Sequence, residues 1–146
     1  MSDSISTNNA PKPVGSYPHA RRVGELLFLS GVGPRIAGSG LGDSKVPGLE
    51  LSPEGEIINY DLAAQVHAVF ANVKAVLEAS GSSWDELVDV TVFLTNMSRD
   101  FSEFNRIYAE YFSELGDKRP CRTTVEINCL PTPIAIELKC IATIKS

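Results

Sequence analysis

One arginine and one glutamate stand out in the stretch CRTTVEINCLPTPIAIELKC, residues 121–140. Apolar and polar residues alternate on both sides of its LPTP segment, which is typical of two half-buried strands joined by a turn. In such a hairpin, Arg122 and Glu137 lie near each other across the turn. Two interpretations stay open. The pair forms a cross-strand salt bridge, or the arginine binds a carboxylate while the glutamate moves a proton through water.

The rest of the chain predicts an α+β domain that positions this pair. An apolar run over residues 25–33 predicts a buried strand, and apolar stripes at helical spacing predict helices over 61–80 and from Asp100 onward. Residues 87–96 alternate as a strand between the two helices. We therefore expect a two-layer domain in which both helices cover one face of a mixed sheet, while another subunit packs on the other face.

Composition argues against several classes of protein. The 146 residues carry a formal net charge of −5 without a basic run, so nucleic acid is not an expected partner and a nuclease is disfavoured. No apolar run approaches the roughly 20 residues that span a bilayer.

The polar residues 1–12 predict a flexible tail, followed by a single domain over 13–146. The three cysteines are interpreted as buried, reduced thiols in a cytoplasmic protein, and the histidines lack metal-ligand spacing.

Several segments, in this order, resemble the Rid/YjgF family of reactive-intermediate deaminases. VGSYPHA (14–20) resembles the family's G-x-Y-x-x-A segment, and LFLSG (27–31) resembles its strand ending in Ser-Gly. DVTVFLTNM and FNRIYAEYF resemble its central strand and second helix. CRTTVEINCLPTPIAIELKCIA resembles its R-[ST]-x-V-E-x-x-x-L-P segment followed by I-E-[ILA]-x-x-[IV]-A. The resemblance covers residues 11–144.

The resemblance implies a chorismate-mutase-like fold and a homotrimer, or a dimer of trimers, with active sites in clefts between subunits. It also implies hydrolysis of amino-acid enamines or imines to release ammonia, without cofactor or metal. In this family pattern Arg122 holds the substrate carboxylate, Glu137 positions or activates water, and Tyr17 and Ser30 line the pocket. Without the family, Tyr17 and Ser30 are equally readable as packing and hydrogen-bonding residues.

The chain departs from the family pattern in three places. Thr124 stands where the family often has a cysteine. Asn96 is the nearest candidate for the family's pocket asparagine, with Ser98 and Arg99 as alternatives, because the surrounding segment is longer than usual. The loop 35–54 is also longer than in generic members and is interpreted as a candidate specificity lid.

Two cationic or titratable side chains suggest the substrate. His19 and Arg35, with the long loop, resemble the 2-aminomuconate deaminases, because a second cation suits a second carboxylate. The prediction is conversion of 2-aminomuconate to 4-oxalocrotonate and ammonia by Glu137 and Arg122, with His19 moving a proton between enamine and imine. His19 as a plain hydrogen-bonding residue and Arg35 as an exposed loop residue stay open. The alternatives are a general 2-aminoacrylate/2-iminopropanoate deaminase, or a non-catalytic carboxylate-binding or chaperone-like module.

Overall fold

The computed structural model describes residues 3–145 and has the predicted α+β architecture. Its strands and helices follow the chain in this order: β1 (Ser4–Ile5), β2 (Ala20–Val23), β3 (Leu26–Leu29), β4 (Glu50–Leu51), β5 (Ile57–Asn59), α1 (Leu62–Ala79), β6 (Leu87–Leu94), α2 (Met97–Phe112), β7 (Cys121–Glu126) and β8 (Ile136–Thr143). Short 3₁₀ turns lie at Leu41–Asp43, Trp84–Glu86 and Gly116–Lys118.

Six of these strands form one mixed sheet in the order β1–β2–β3–β8–β6–β7, and β4 pairs with β5 in a separate hairpin. β6 and β7 are parallel, whereas β8 is antiparallel to both β3 and β6. Alternate residues of β6 and β8, among them Val92 and Leu138, are buried in one core with both helices. We call this side of the sheet the helix face. The opposite side, the open face, carries half-exposed residues such as Phe93 and Glu137.

The predicted hairpin between the last two strands is wrong. β7 and β8 both pair with β6, which lies between them. Arg122 is in register with the buried Val90 and therefore lies on the helix face, whereas Glu137 is in register with Phe93 on the open face. Two strand spacings, about 10 Å, separate their strands. Arg122 and Glu137 of one chain therefore do not meet.

The connections explain this topology. Helix α2 joins β6 to β7, and a strand–helix–strand connection is typical of parallel neighbouring strands. After β7 the chain passes the end of β6, where the Ile127 amide donates to the Leu94 carbonyl and the Thr95 amide donates to the Ala135 carbonyl. It then returns as β8 on the other side of β6. The apolar β6 thereby becomes an internal strand, with a neighbour on each edge.

The two helices match their predicted positions with one difference. Helix α1 begins after Asp61, whose side chain accepts a hydrogen bond from the Ala64 amide at 3.1 Å, and it is followed by Gly81 with a φ of 77°. Helix α2 begins before the predicted start at Asp100, because the Asn96 side chain caps it. Asp100 is instead buried, accepts a hydrogen bond from the Tyr60 hydroxyl at 2.6 Å, and has its pKa raised by burial.

The N-terminal segment is part of the folded sheet rather than a free tail. Ser4–Ile5 forms the edge strand β1, which pairs with β2. Ala10 is only 2% exposed and belongs to the core. The prediction of a flexible tail therefore needs correction over residues 3–12. Its physical reason is that backbone groups pair along a sheet edge whatever the polarity of their side chains.

The cysteines differ from one another in exposure. Cys140 on β8 is buried, and this burial raises the pKa of its thiol to about 12. Cys121 and Cys129 are exposed, and all three are free thiols. The prediction of burial is wrong for these two because β7 is an edge strand, and Cys129 lies in the connection that follows it.

Candidate active site

A cleft opens around Glu137, between the start of the long loop and the segment before β8. We call it the Glu137 cleft, and it has a volume of about 150 Å³. It is lined by Val14, Tyr17, Gly31, Gly33, Arg35, Pro131, Thr132, Ile134 and Glu137. A smaller cleft adjoins it on the side of the N-terminal segment. This second cleft, the Ser30 cleft, shares part of that lining and adds Ala10, Pro11, Pro13, Pro18, His19, Ser30 and Val32.

The carboxylate of Glu137 lies directly against the backbone of Gly31. A Cβ atom at position 31 would lie 2.8 Å from Oε2 and 2.9 Å from Cδ of Glu137, so glycine leaves the space that the carboxylate occupies. Burial raises the pKa of Glu137, and the positive charge of Arg35 partly opposes this rise. A carboxyl group with a raised pKa is suited to both accepting and donating a proton.

Tyr17 and Ser30 lie at these clefts, as predicted, and both also hold backbone. The Tyr17 side chain is 42% exposed, and its hydroxyl accepts a hydrogen bond from the Val14 amide at 3.2 Å. The Ser30 hydroxyl donates to the Pro18 carbonyl at 2.7 Å. The two side chains therefore keep the VGSYPHA turn against the end of β3.

His19 connects the Ser30 cleft to the N-terminal segment. Its Nδ1 accepts a hydrogen bond from the Thr7 amide at 3.2 Å, and Nε2 lies 2.8 Å from the Pro11 carbonyl. Since Nδ1 accepts, the proton is on Nε2 and is donated to Pro11. Both ring nitrogens are thus occupied by backbone groups. The predicted role of His19 in proton transfer stays a prediction.

Arg122 and Thr124 lie on the helix face of the edge strand β7, outside both clefts. The Arg122 guanidinium lies 4.7 Å from the centre of the Tyr108 ring and donates to Oδ1 of Asn105 at 2.9 Å. The Thr124 hydroxyl is buried and has no hydrogen-bond partner within residues 3–145. Helix α2 therefore fixes the orientation of the arginine, which is held at the edge of the sheet.

Asn96 also lies outside the clefts. Its Oδ1 accepts hydrogen bonds from the Arg99 amide at 3.1 Å and from the Ser98 hydroxyl at 3.2 Å, which makes it the cap of α2. Within one chain, the structure thus brings together Tyr17, Arg35 and Glu137, with Ser30 and His19 next to them.

Two buried amides on α1 position the walls of the cleft, and the sequence analysis did not identify them. Asn72 donates to the carbonyls of Gly33 at 2.9 Å and Arg35 at 2.7 Å. Gln65 accepts from the Ala135 amide at 2.8 Å. Both are polar residues that are buried on α1 among its apolar residues, and that interruption was the available signal.

Among residues 3–145, no group of three or more His, Cys, Asp or Glu side chains is arranged to hold a metal ion. Neither of the long helices described above is apolar enough over a sufficient length to cross a membrane. The prediction that the protein needs no cofactor stays a prediction.

Comparison with known proteins shows the family to which the chain belongs. The family described as Endoribonuclease L-PSP matches residues 7–144. A RutC family protein of Pyrococcus horikoshii is 38% identical over 143 residues, which is 97% of this chain and 98% of the relative. The 2-iminobutanoate/2-iminopropanoate deaminase of Escherichia coli is 32% identical over 142 residues, which is 97% of this chain and 98% of the relative. The crystal structure of the YjgF gene product from E. coli superimposes with a TM-score of 0.80 at 32% identity, covering 99% of this chain and all of that one (100%). The chain therefore belongs to the Endoribonuclease L-PSP family, and its resemblance to the Rid/YjgF proteins is confirmed.

Proposed function

We propose that this protein hydrolyses small imino acids of the 2-iminopropanoate and 2-iminobutanoate class, without a cofactor. The observation that carries the proposal is Glu137, a carboxyl group that is partly buried in a cleft and held against Gly31. The E. coli relative named as a deaminase for these substrates matches along nearly the whole chain, which supports the same substrate class here.

The hydrolysis needs a carboxylate that is held beside the imine carbon to move protons, and a cation that binds the substrate carboxylate. Glu137 takes a proton from a water molecule as the water oxygen bonds to the electrophilic imine carbon. The same carboxyl group returns this proton to the nitrogen, which gives a carbinolamine. Glu137 then takes the hydroxyl proton and passes it to the nitrogen as the carbonyl forms and the carbon–nitrogen bond breaks, so that a 2-oxo acid and ammonia leave. The enzyme ends in the protonation state in which it began. Its contribution is the position of the water and of the proton carrier.

We further propose that Arg122 of a neighbouring subunit binds the substrate carboxylate in the Glu137 cleft. Two observations support a shared site: Arg122 lies on the opposite face of the sheet from Glu137 of its own chain, and it lies on an edge strand. A homotrimer, or a dimer of trimers, in which the β7 edge of one subunit packs on the open face of the next would complete the cleft. Such packing would also cover an unpaired strand edge.

2-Aminomuconate is a second candidate substrate, because Arg35 brings a further cation to the same cleft. Three of the five N–H groups of an arginine side chain are used here on backbone carbonyls, which leaves donors for a second carboxylate. A comparison of kcat/KM decides between the two classes. A preference for 2-aminomuconate over 2-iminopropanoate would favour the dicarboxylate.

The first test is the Glu137→Gln variant, which keeps the shape of the side chain and removes its proton chemistry. Alanine and an amino acid oxidase generate 2-iminopropanoate in place, and ammonia release is measured above spontaneous hydrolysis. We expect kcat/KM to fall by about 100-fold or more, since general acid–base catalysis typically contributes that much. A wild-type rate in this variant would reject the role of Glu137. If the wild-type protein accelerates no imine, a carboxylate-binding or chaperone-like module becomes the better interpretation.

The shared site has its own test, which mixes two inactive variants. Arg122→Ala and Glu137→Gln are each expected to be inactive, and each retains the residue that the other lacks. If every site takes one residue from each of two subunits, random co-assembly restores about a quarter of the sites. No recovery in verified mixed oligomers would show that the two residues do not act together across the subunit boundary.

A further inference from the structure

The first part of the long loop is a closed structure rather than a free lid. The Ile36 amide donates to the Lys45 carbonyl at 2.9 Å, which brings the two ends of this part together. Between them, the Ser39 hydroxyl accepts from the Lys45 amide at 3.2 Å and donates to the Ile36 carbonyl at 2.6 Å. The predicted lid is therefore internally fixed over residues 36–45. The question is what this fixed segment does at the cleft.

Asp43 is the centre of that segment and ties it to the N-terminal segment. It is only 4% exposed, although it is a charged loop residue. Its Oδ1 accepts from the Gly38 amide and its Oδ2 accepts from the Lys12 amide, both at 2.9 Å. Its φ of 52° lies in the left-handed region, which residues other than glycine rarely adopt. This backbone conformation is unfavourable, and it occurs at a residue whose two carboxylate oxygens join separate parts of the chain.

The Arg35 side chain binds carbonyl groups of the same two segments that the Asp43 carboxylate joins. Its Nη1 donates to the carbonyls of Gly42 at 2.7 Å and Asp43 at 3.1 Å, and its Nη2 donates to the Lys12 carbonyl at 2.6 Å. Its own carbonyl accepts from Asn72 on α1. We call the contacts among Lys12, Arg35 and Asp43 the Arg35–Asp43 clasp. The clasp fixes the guanidinium of Arg35, while Asn72 fixes its backbone carbonyl.

The clasp matters because Arg35 lines both clefts. Among the residues that line the Glu137 cleft, Arg35 from the loop and Tyr17 from the N-terminal turn are the other titratable side chains, and Lys139 lies on the same face of β8. The Lys139 ammonium donates to the Leu29 carbonyl. Arg35 is the charge that acts on Glu137, where it opposes the effect of burial on the pKa.

We infer that Asp43 is a positioning residue: through the clasp it fixes the Arg35 guanidinium at the wall of the Glu137 cleft, and thereby sets the charge that an acid substrate and the Glu137 carboxylate meet. The inference rests on the proposed function in so far as Glu137 is the proton carrier. It deepens that function, because it assigns the long loop to electrostatic preorganisation rather than to opening and closing.

Asp43→Asn is the sharpest perturbation of the clasp. Asparagine has nearly the same shape and tolerates a left-handed backbone. Its amide nitrogen is a donor, however, and must face either the Lys12 or the Gly38 amide, so one of the two hydrogen bonds is replaced by a donor–donor contact. Asp43→Gly is the second variant, since it accepts the positive φ and removes both acceptor oxygens. Glu54→Gln removes the same charge from an exposed position of the same loop and serves as the control.

The direction in which the pKa of Glu137 shifts in these variants tests the role of the clasp. If the clasp holds Arg35, breaking it removes a nearby cation, and the acid limb of the kcat/KM profile moves to higher pH while KM for the acid substrate rises. If Asp43 acts only as a nearby negative charge, its loss moves the limb to lower pH. The two explanations therefore predict opposite shifts. The control variant is expected to leave the limb in place.

Two measurements keep this test separate from catalysis. A ¹³C titration of the Glu137 carboxyl group should show the same upward shift in the Asp43→Asn and Asp43→Gly proteins. Hydrogen exchange should become faster at both the Lys12 and the Gly38 amides in Asp43→Gly, and at one of the two in Asp43→Asn, because the acceptor is lost. If the wild-type protein is inactive, the proposed function fails while these two readouts still test the clasp. An unchanged or downward shift of the Glu137 titration would overturn the inference.

Discussion

Gly31→Ala is expected to damage the site by moving a single carboxylate. The new methyl group would stand 2.8 Å from Oε2 of Glu137, whereas ordinary contacts begin near 3.4 Å, so the carboxylate must move by about 0.6 Å. Gly31 is not among the glycines with a positive φ, so alanine fits the backbone conformation there. The perturbation is therefore confined to the side chain that the proposed mechanism uses.

The expected effect on rate is much larger than the effect on stability. Misplacing a catalytic group by about 1 Å can cost about 100-fold, so a shift of about 0.6 Å predicts a loss of about 10- to 100-fold in kcat/KM. Alanine reduces the entropy of the unfolded chain, worth about 0.4–1 kcal/mol. An off-rotamer Glu137 side chain costs about 0.5–1.5 kcal/mol in the opposite direction. The free energy of unfolding should therefore change by less than about 1 kcal/mol.

The assay measures ammonia release from 2-iminopropanoate, together with urea unfolding at a fixed protein concentration. Gly33→Ala is the matched control, because Gly33 lines the same cleft but its added methyl group would meet Cδ1 of Ile134 at 3.0 Å rather than the carboxylate. We expect Gly33→Ala to keep most of the activity that Gly31→Ala loses.

Three results would refute the reasoning. A wild-type kcat/KM in Gly31→Ala would mean that the position of the Glu137 carboxylate is not critical. An equal loss in Gly33→Ala would point to the general shape of the cleft instead. A large fall in stability would show that the clash is not confined to one flexible side chain.

Three further predictions follow from individual contacts. Asn96→Ala should lower the free energy of unfolding by about 0.5–2 kcal/mol, the usual cost of a lost helix cap, and leave kcat unchanged; a large fall in kcat would return Asn96 to the site. His19→Ala should speed hydrogen exchange over residues 3–12, because both ring nitrogens hold backbone groups there. A fall in kcat of about 100-fold, the size of an acid–base contribution, with unchanged exchange would support proton transfer by His19 instead. Glu137→Gln should stabilise the protein at neutral pH. Because the pKa of Glu137 is raised in the folded protein, wild-type stability falls as the pH rises from the ordinary glutamate pKa of 4.5 through the raised pKa. The difference in unfolding free energy between the variant and the wild type should therefore grow over that pH range and then level off. A difference independent of pH would contradict this.

The sequence was most informative where a periodic pattern was long. The stripe of α1 and the alternation of β6 placed both elements nearly at their observed ends, because burial of one face requires that periodicity. Alternation does not specify which strand is the neighbour. The turn-like LPTP segment suggested a hairpin, yet the segment passes the end of β6 before β8 begins. Pairing is decided by the competition of strand edges across the whole sheet.

The site, too, was predictable from the sequence in some parts and not in others. Glu137 and Tyr17 were identified from the residues and the family resemblance, and they do share a cleft. The contacts that position the cleft are mostly side chain to backbone, as for Asn72 and Asp43. Such contacts depend on where a loop passes in space, and no spacing in the sequence encodes that. Asn72 was detectable only as a polar residue on a buried helix face.

The separation of Arg122 from Glu137 has a physical advantage for a shared site. If Arg122 lay beside Glu137 in the same chain, the two would form an ion pair, which would lower the pKa of the glutamate and occupy the arginine. Here α2 holds Arg122 through Asn105 and the Tyr108 ring, so the guanidinium is ordered before any partner arrives. Glu137 meanwhile stays partly desolvated, and the clasped Arg35 opposes the rise in its pKa. Under the proposed assembly, a substrate carboxylate would bind between the two residues and keep them from neutralising each other. In that assembly the fold would keep the charge that binds the substrate apart from the group that moves the proton until the substrate joins them.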